Sequence, residues 1–184
     1  MEFIGMIETT KDKPIALIVM GPSSIGKTTT AELLSQKLGW ECAEGDTFHP
    51  PENIEKMSAG IPLDDADRQP WLKKIRDWIS EKADAGSNVV LTCSALKRSY
   101  REILNGARAD VRFVELVADK KLVAERMARR KGHFMPPSLL DSQFATLEDL
   151  QEDENGVKIT VDAPPETVVD RALTGLNLNS HIKQ

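Results

Sequence analysis

The stretch Gly21-Pro22-Ser23-Ser24-Ile25-Gly26-Lys27-Thr28 fits G-x-x-x-x-G-K-[ST], the spacing of a loop that folds its backbone around a phosphate. On its N-terminal side Ile15-Ala-Leu-Ile-Val-Met20 is an unbroken apolar run between Pro14 and Gly21, the pattern of a strand buried on both faces. On its C-terminal side a helical pattern runs from Lys27 to Leu38, with Ala31, Leu34 and Leu38 on one face and Gly39 as the stop signal. A chance match in a Gly/Ser turn is the competing reading, and the strand and helix on either side disfavour it. The glycines let the backbone turn tightly enough for its N–H groups to surround one anion, reinforced by the positive end of the helix dipole. The candidate nucleotide-binding residues are therefore Gly21, Ser23, Ser24, Ile25, Gly26, Lys27, Thr28 and Thr29. Lys27 is expected to neutralise the β- and γ-phosphates of a nucleoside triphosphate, and Thr28 to place its hydroxyl on Mg²⁺.

Outward from this loop, strand and helix signals alternate. A short strand is expected near Glu41 to Glu44. Asp67 is placed to cap a helix in which Trp71, Leu72, Ile75, Trp78 and Ile79 recur with helical period, ending near Gly86. Asn88-Val-Val-Leu-Thr-Cys93 and Val111-Arg-Phe-Val-Glu-Leu-Val117 read as further buried strands, and Val157 to Val161 as the last one. Helices are expected over 95–104, 120–130 and 138–147, and a last helix starts at Pro164-Pro165. This order predicts an α/β chain with the P-loop NTPase fold, a five-stranded parallel sheet flanked by helices and joined by right-handed crossovers.

At 184 residues and 20.4 kDa the chain is long enough for one buried core, so a single domain is expected over 14–184 behind a loose extension at 1–13. No segment approaches the ~20 apolar residues of a membrane span. A net charge of -5 repels nucleic acid and anionic lipid, and one tyrosine with five phenylalanines leaves little for a base-stacking platform. Neither end carries a targeting signal, and two lone cysteines, Cys42 and Cys93, suit a reducing compartment, so cytoplasm is expected. Both thiols, with Trp40, Trp71 and Trp78, are expected in the core.

A guanine-reading N-K-x-D is absent, and Asp153-Glu-Asn-Gly156 spells D-x-x-G in the wrong place for a GTPase switch. The strand ending at Cys93 runs into Ser94, not into the acidic residue of a motor ATPase, so the acidic partner comes from elsewhere. The nearest candidate is Asp46, which follows the short second strand on the sheet edge that carries the phosphate loop. Such a carboxylate either accepts a substrate proton late in transfer or reaches Mg²⁺ through water. A plain turn residue ahead of a helix after Pro50 is the alternative.

Gly45-Asp46-Thr-Phe-His49-Pro50, Asn53-Ile-Glu-Lys56-Met57 and Gly60-Ile-Pro62-Leu63-Asp-Asp65-Ala-Asp67-Arg68-Gln-Pro70-Trp71-Leu72 form a nearly continuous signature. Cys93-Ser94-Ala95-Leu96-Lys97-Arg98-Ser-Tyr100-Arg101, His133-Phe134 and Leu139-Leu140-Asp-Ser142-Gln143-Phe-Ala-Thr-Leu147-Glu148 extend it. On these residues the chain resembles the gluconokinase family of small P-loop kinases. The resemblance implies ATP-dependent phosphorylation of D-gluconate at its terminal hydroxyl, with Mg²⁺ and a homodimer. It also implies that Asp46 lies nearest the acceptor hydroxyl and that Arg68, Lys97 and Arg101 contact the sugar acid. Ser94, His49 and His133 join them as short polar groups for the hydroxyls, since a polyol acid needs cations for its carboxylate and polar side chains for the rest.

Arg126, Arg129 and Arg130 stand at i, i+3 and i+4, a repulsive cluster unless an anion visits or Asp119 and Glu125 answer it. In the resembled family the segment at about 119–146 is a mobile lid that lowers arginines, here Arg126 and Arg130, onto the phosphates, with Gly132-His133-Phe134 and Pro136-Pro137 as its bend. Two departures stand out: Ser24 where the family tends to have glycine, and Ile25 where it has a small residue. The acidic stretch Asp149 to Gly156 is also less typical, and adenine is expected near Asp162 to Pro165. A same-fold kinase for another hydroxy acid such as shikimate, or a nucleotide-binding regulatory module without turnover, are the alternatives.

Overall fold

The structure, a computed structural model, describes residues 13–129 and 137–184. The expected extension up to residue 12 and the expected bend, with Arg130, His133 and Pro136, lie outside the described residues. β1 (Ile15–Met20) is buried along its whole length, as its unbroken apolar run requires. It is the centre of an all-parallel sheet with β2 (Glu41–Glu44), β3 (Val89–Thr92), β4 (Asp110–Val117) and β5 (Gly156–Thr160), in the order β2-β3-β1-β4-β5. Ile18 lies opposite Leu91 on one side and Phe113 on the other.

Because side chains alternate across a strand, β1 feeds two cores. Leu17 and Val19 pack with Leu34 of α1 (Lys27–Leu38), Val123 of α5 (Lys120–Arg129) and Val169 and Leu173 of α7 (Pro165–Gly175). Ala16, Ile18 and Met20 pack with Trp71 and Ile75 of α3 (Asp65–Asp84) and Leu104 of α4 (Arg98–Asn105). Each fully buried Leu or Ile contributes about 1.5–3 kcal/mol. Two shorter helices follow, α2 (Pro51–Ser58) and α6 (Leu140–Thr146), the latter adding Leu140 to the first of these cores. Trp71 and Cys93 are core residues, whereas Trp40, Trp78 and Cys42 are only partly buried against it. Burial pushes the Cys93 thiol up to about 12, which leaves it without a reactive thiolate.

Two boundaries differ from expectation. α3 is capped by Asp64, whose carboxylate accepts the Asp67 N–H at 2.7 Å, while the Asp67 carboxylate accepts the Asp64 N–H at 3.0 Å. Asp67 is thus the reciprocal partner of a capping box, and the helix starts earlier than its apolar pattern indicates. α4 starts at Arg98, not Ala95, because Ala95 takes a φ of 44° and the Ser94 carbonyl turns to accept the Gly21 N–H at 3.2 Å. The chain passes from β1 out to β2, returns through β3 and then crosses to β4, so the strand order reverses at β1. Open α/β sheets bind ligands at the C-terminal edge of such a reversal.

Candidate active site

Gly26 caps α1 with a φ of 109°, a conformation glycine adopts without a side-chain penalty. Ser24 takes a φ of 62°, where a β-carbon costs roughly 1–2 kcal/mol, and its hydroxyl oxygen is buried without a hydrogen-bond partner. The Ile25 side chain turns into the core against Gly21, so this residue presents only backbone to the loop. Its carbonyl accepts a hydrogen bond from Arg126 Nη1 of α5 at 3.3 Å. Lys27 Nζ donates to the carbonyls of Gly21 at 2.8 Å and Pro22 at 3.0 Å.

Around this loop opens a cavity of about 280 Å³ lined by Ser23, Ser24, Gly26, Lys27, Thr28, Thr29, Glu44, Asp46, Thr92 and Arg126. Two cations and a helix N-terminus face two carboxylates and a threonine hydroxyl, a donor set that fits polyphosphate together with a divalent cation. The unpartnered Ser24 hydroxyl on the same wall fits it too. Among the described residues no group of three or more His, Cys, Asp or Glu is arranged to hold a metal by itself. Thr28, with phosphate oxygens and with Glu44 or Asp46 through water, is the set that would hold Mg²⁺.

Glu44 and Thr92 are missing from the sequence reading. They end the neighbouring strands β2 and β3 in register, and Thr92 Oγ1 donates to Glu44 Oε2 at 2.7 Å while accepting the Gly45 N–H at 3.2 Å. Glu44 thus places a second carboxylate, beside the expected Asp46, at the end of β2, one strand outward from β3. Gly45 is required by proximity: a β-carbon there would sit 2.0 Å from the Thr92 carbonyl oxygen. That closeness lets the turn Gly45–Phe48 lie against β3 and carry Asp46 to the loop.

A second, tighter cavity of about 30 Å³ adjoins the first and shares Ser23, Lys27 and Asp46 with it. His49, Arg68 and Ser94 line it together with Met57, Leu63, Trp71, Leu96 and Gln143. Trp71 donates Nε1–H to the Gly45 carbonyl at 2.8 Å and stacks on His49, ring centroids 4.1 Å apart. Burial lowers the His49 pKa to about 4 despite the Asp46 carboxylate 3.9 Å away, with Arg68 pushing in the same direction as burial, so the ring is neutral at neutral pH. Gln143 Oε1 accepts the Ser23 N–H at 2.6 Å, tying α6 to the phosphate loop.

Arg68 Nη1 donates to the Tyr100 hydroxyl at 2.9 Å, and Asp65 accepts from both Tyr100 and Lys97. Lys97 therefore joins Arg68 through Tyr100 and Asp65 and lines neither cavity. Arg101, expected on the sugar acid, lines neither cavity: it is wholly buried and donates to Glu154 at 2.6 and 3.0 Å and to the Ala95 carbonyl at 2.9 Å. The acidic stretch accounts for this, since it supplies the carboxylate that a buried guanidinium requires. The same stretch covers Glu115 of β4, fully buried, whose Oε2 accepts the Leu150 N–H at 3.1 Å. Burial pushes the Glu115 carboxyl up to about 7, while the neighbouring Glu115 carboxyl and the Lys158 ammonium hold the Asp149 carboxylate below its usual range. Arg129 is exposed, while Arg130 and His133 lie outside the described residues.

A further cavity of about 720 Å³ lies at the opposite end of the strands, beside Ile15 and Asp110. Its arginines are already answered, Arg98 by Asp153 and Arg112 by Asp110, so the chemistry belongs to the phosphate-loop edge.

A family model described as an AAA domain matches residues 17–150. A gluconokinase from Gluconobacter oxydans (strain 621H) is 50% identical over 161 residues, covering 88% of this chain and 90% of its own. The crystal structure of a sugar kinase from Janibacter sp. HTCC2649 superposes with a TM-score of 0.87 at 45% identity, over 93% of this chain and 99% of that one. That of a gluconokinase from Sinorhizobium meliloti 1021 gives 0.78 at 44% identity, over 90% and 93%. Shikimate kinase from Aquifex aeolicus, at 21% identity and a TM-score of 0.55 over 90% of this chain and 98% of its own, shares the fold alone.

Proposed function

The chain belongs to the gluconokinase family, and from that premise we propose that it transfers the γ-phosphoryl group of ATP to the terminal hydroxyl of D-gluconate, giving 6-phospho-D-gluconate and ADP. The observation that carries this reading is the meeting of the two cavities on Ser23, Lys27 and Asp46. A phosphoryl group passing from the larger to the smaller crosses between a cation that neutralises its charge and a carboxylate that takes the acceptor's proton.

In this reading the gluconate oxygen forms the new bond to phosphorus as the bond to the β-phosphate oxygen breaks, and the hydroxyl proton goes to Asp46 late in transfer. Lys27 and Arg126, both lining the larger cavity, balance charge on the transferring group. Thr28, with Glu44 or Asp46 through water, would hold Mg²⁺, which would supply charge neutralisation at the phosphates. Arg68, held by Tyr100, is the guanidinium for the substrate carboxylate, with Lys97 beyond Asp65, and His49 and Ser94 serve the hydroxyls. Space of about 30 Å³ holds a water or two, so a six-carbon acid enters only when the walls part. In this reading the moving wall is the segment expected as a lid, and the hydrogen bond from the Ser23 N–H to Gln143 of α6 supports it as that segment's contact with the phosphate loop. The family resemblance further supports a homodimer, a cytoplasmic setting and a product that enters the pentose phosphate pathway; no described helix is long and apolar enough to cross a membrane.

Asp46→Asn is the direct test, because it keeps shape and removes the proton acceptor. ATP binding by calorimetry is expected within about threefold of wild type while turnover with gluconate falls roughly 10²–10⁴-fold. Undiminished turnover would remove Asp46 from the reaction.

A further inference from the structure

Asn53, the third residue of α2, is buried and lines neither cavity. One atom of its side chain makes two contacts: Nδ2 donates to the Asp67 carbonyl at 2.8 Å and lies 3.2 Å from His49 Nδ1. A carbonyl only accepts, so the atom facing Asp67 is the amide nitrogen, and the orientation of the amide is fixed. The second hydrogen on that nitrogen faces the imidazole, and a ring nitrogen that accepts a hydrogen bond carries the lone pair. In the neutral ring the proton then sits on Nε2. Trp71, stacked on the imidazole with planes 16° apart, holds the ring in this orientation.

Nε2 points to Asp46, and its 3.9 Å separation from Oδ1 is too long for a direct hydrogen bond. It suits a single oxygen about 2.8 Å from both, accepting from Nε2–H and donating to the carboxylate. We propose that Asn53 is a positioning residue for phosphoryl transfer: by holding His49 as the Nε2–H tautomer it makes His49 and Asp46 a donor–acceptor pair that orients the acceptor hydroxyl. The hydroxyl hydrogen is turned to the base that receives it, and a remaining lone pair is left for phosphorus. The opposite tautomer would set two acceptors against a hydroxyl with one hydrogen, and the orientation would be lost. This proposal rests on the kinase reading of the same site.

Two measurements test it on the full chain. Long-range ¹H–¹⁵N correlation spectra of the imidazoles, read without any substrate, are expected to show the His49 proton on Nε2; a proton on Nδ1 overturns the proposal whether or not gluconate is the substrate. A cycle then combines Asn53→Ala with His49→Gln, whose amide nitrogen reaches the Nε2 position and donates without help from Asn53. Asn53→Ala alone is expected to lower kcat with gluconate roughly tenfold or more, with the KM for ATP unchanged. In the His49→Gln background the same change is expected to cost less than about threefold. Equal losses in both backgrounds would make Asn53 merely structural and overturn the proposal; absence of gluconate turnover in the wild-type protein would instead sink the kinase reading and leave the spectroscopic result standing.

Discussion

Within the phosphate loop one residue strains the backbone that its neighbours relax. Ser24 holds a φ of 62° with a buried, unpartnered hydroxyl, so the place where the chain departs from the glycine usual in its family is a left-handed position. Ser24→Gly removes the β-carbon clash and adds freedom to the unfolded chain, and the first term is the larger. The net expectation is a gain of about 0.5–1 kcal/mol, seen as a rise of a few degrees in Tm by calorimetry. An unchanged or lower Tm would mean that the loop carries no such strain. Residues at this scale were legible wherever spacing encodes chemistry, as in Gly21, Gly26, Lys27 and Thr28. Glu44 and Thr92 were not, because their relation is a register between two strands far apart in the chain, and no local pattern records it.

At the scale of elements, periodicity placed all five strands and most helices, while irregular backbone moved their ends. The start of α4 depends on the left-handed Ala95 and on the Ser94 to Gly21 hydrogen bond, a tertiary contact that no helical pattern contains. Arg101 shows the same limit. Its motif resembles a substrate contact, yet its guanidinium is spent on Glu154, in a stretch that composition alone marks only as acidic. That stretch also gives the fold a pH dependence. Glu115 faces the Asp149 carboxylate, the Lys158 ammonium and the Leu150 N–H, and its folded pKa of about 7 stands above the value of about 4.3 in an unfolded chain. A raised carboxyl pKa contributes stability that is whole below about pH 4 and is lost as pH rises through about 7. Glu115→Gln keeps a side-chain oxygen that accepts the Leu150 N–H but cannot ionise. Wild-type Tm is therefore expected to fall between about pH 4.5 and 7 relative to that of Glu115→Gln and to level off above it; parallel curves between about pH 4.5 and 7 would refute the assignment.

Across the whole molecule, a chain of net charge -5 gathers Lys27 and Arg126 around one cavity and sets Arg68 in the next. An acidic surface with a cationic cleft selects small anions over nucleic acid. The proposed homodimer predicts sedimentation at twice 20.4 kDa, and a single species at one chain's mass would rule it out. The central claim is the transfer of phosphate from ATP to gluconate across the junction of the two cavities. It is tested most directly by coupled ADP release with Mg²⁺-ATP over a panel of gluconate, its epimers, shikimate, glycerate and common nucleosides. The expected result is turnover with gluconate above every other acceptor, reduced roughly 10³-fold or more in Lys27→Ala. ATP binding with no acceptor turned over, or shikimate preferred to gluconate, would contradict it.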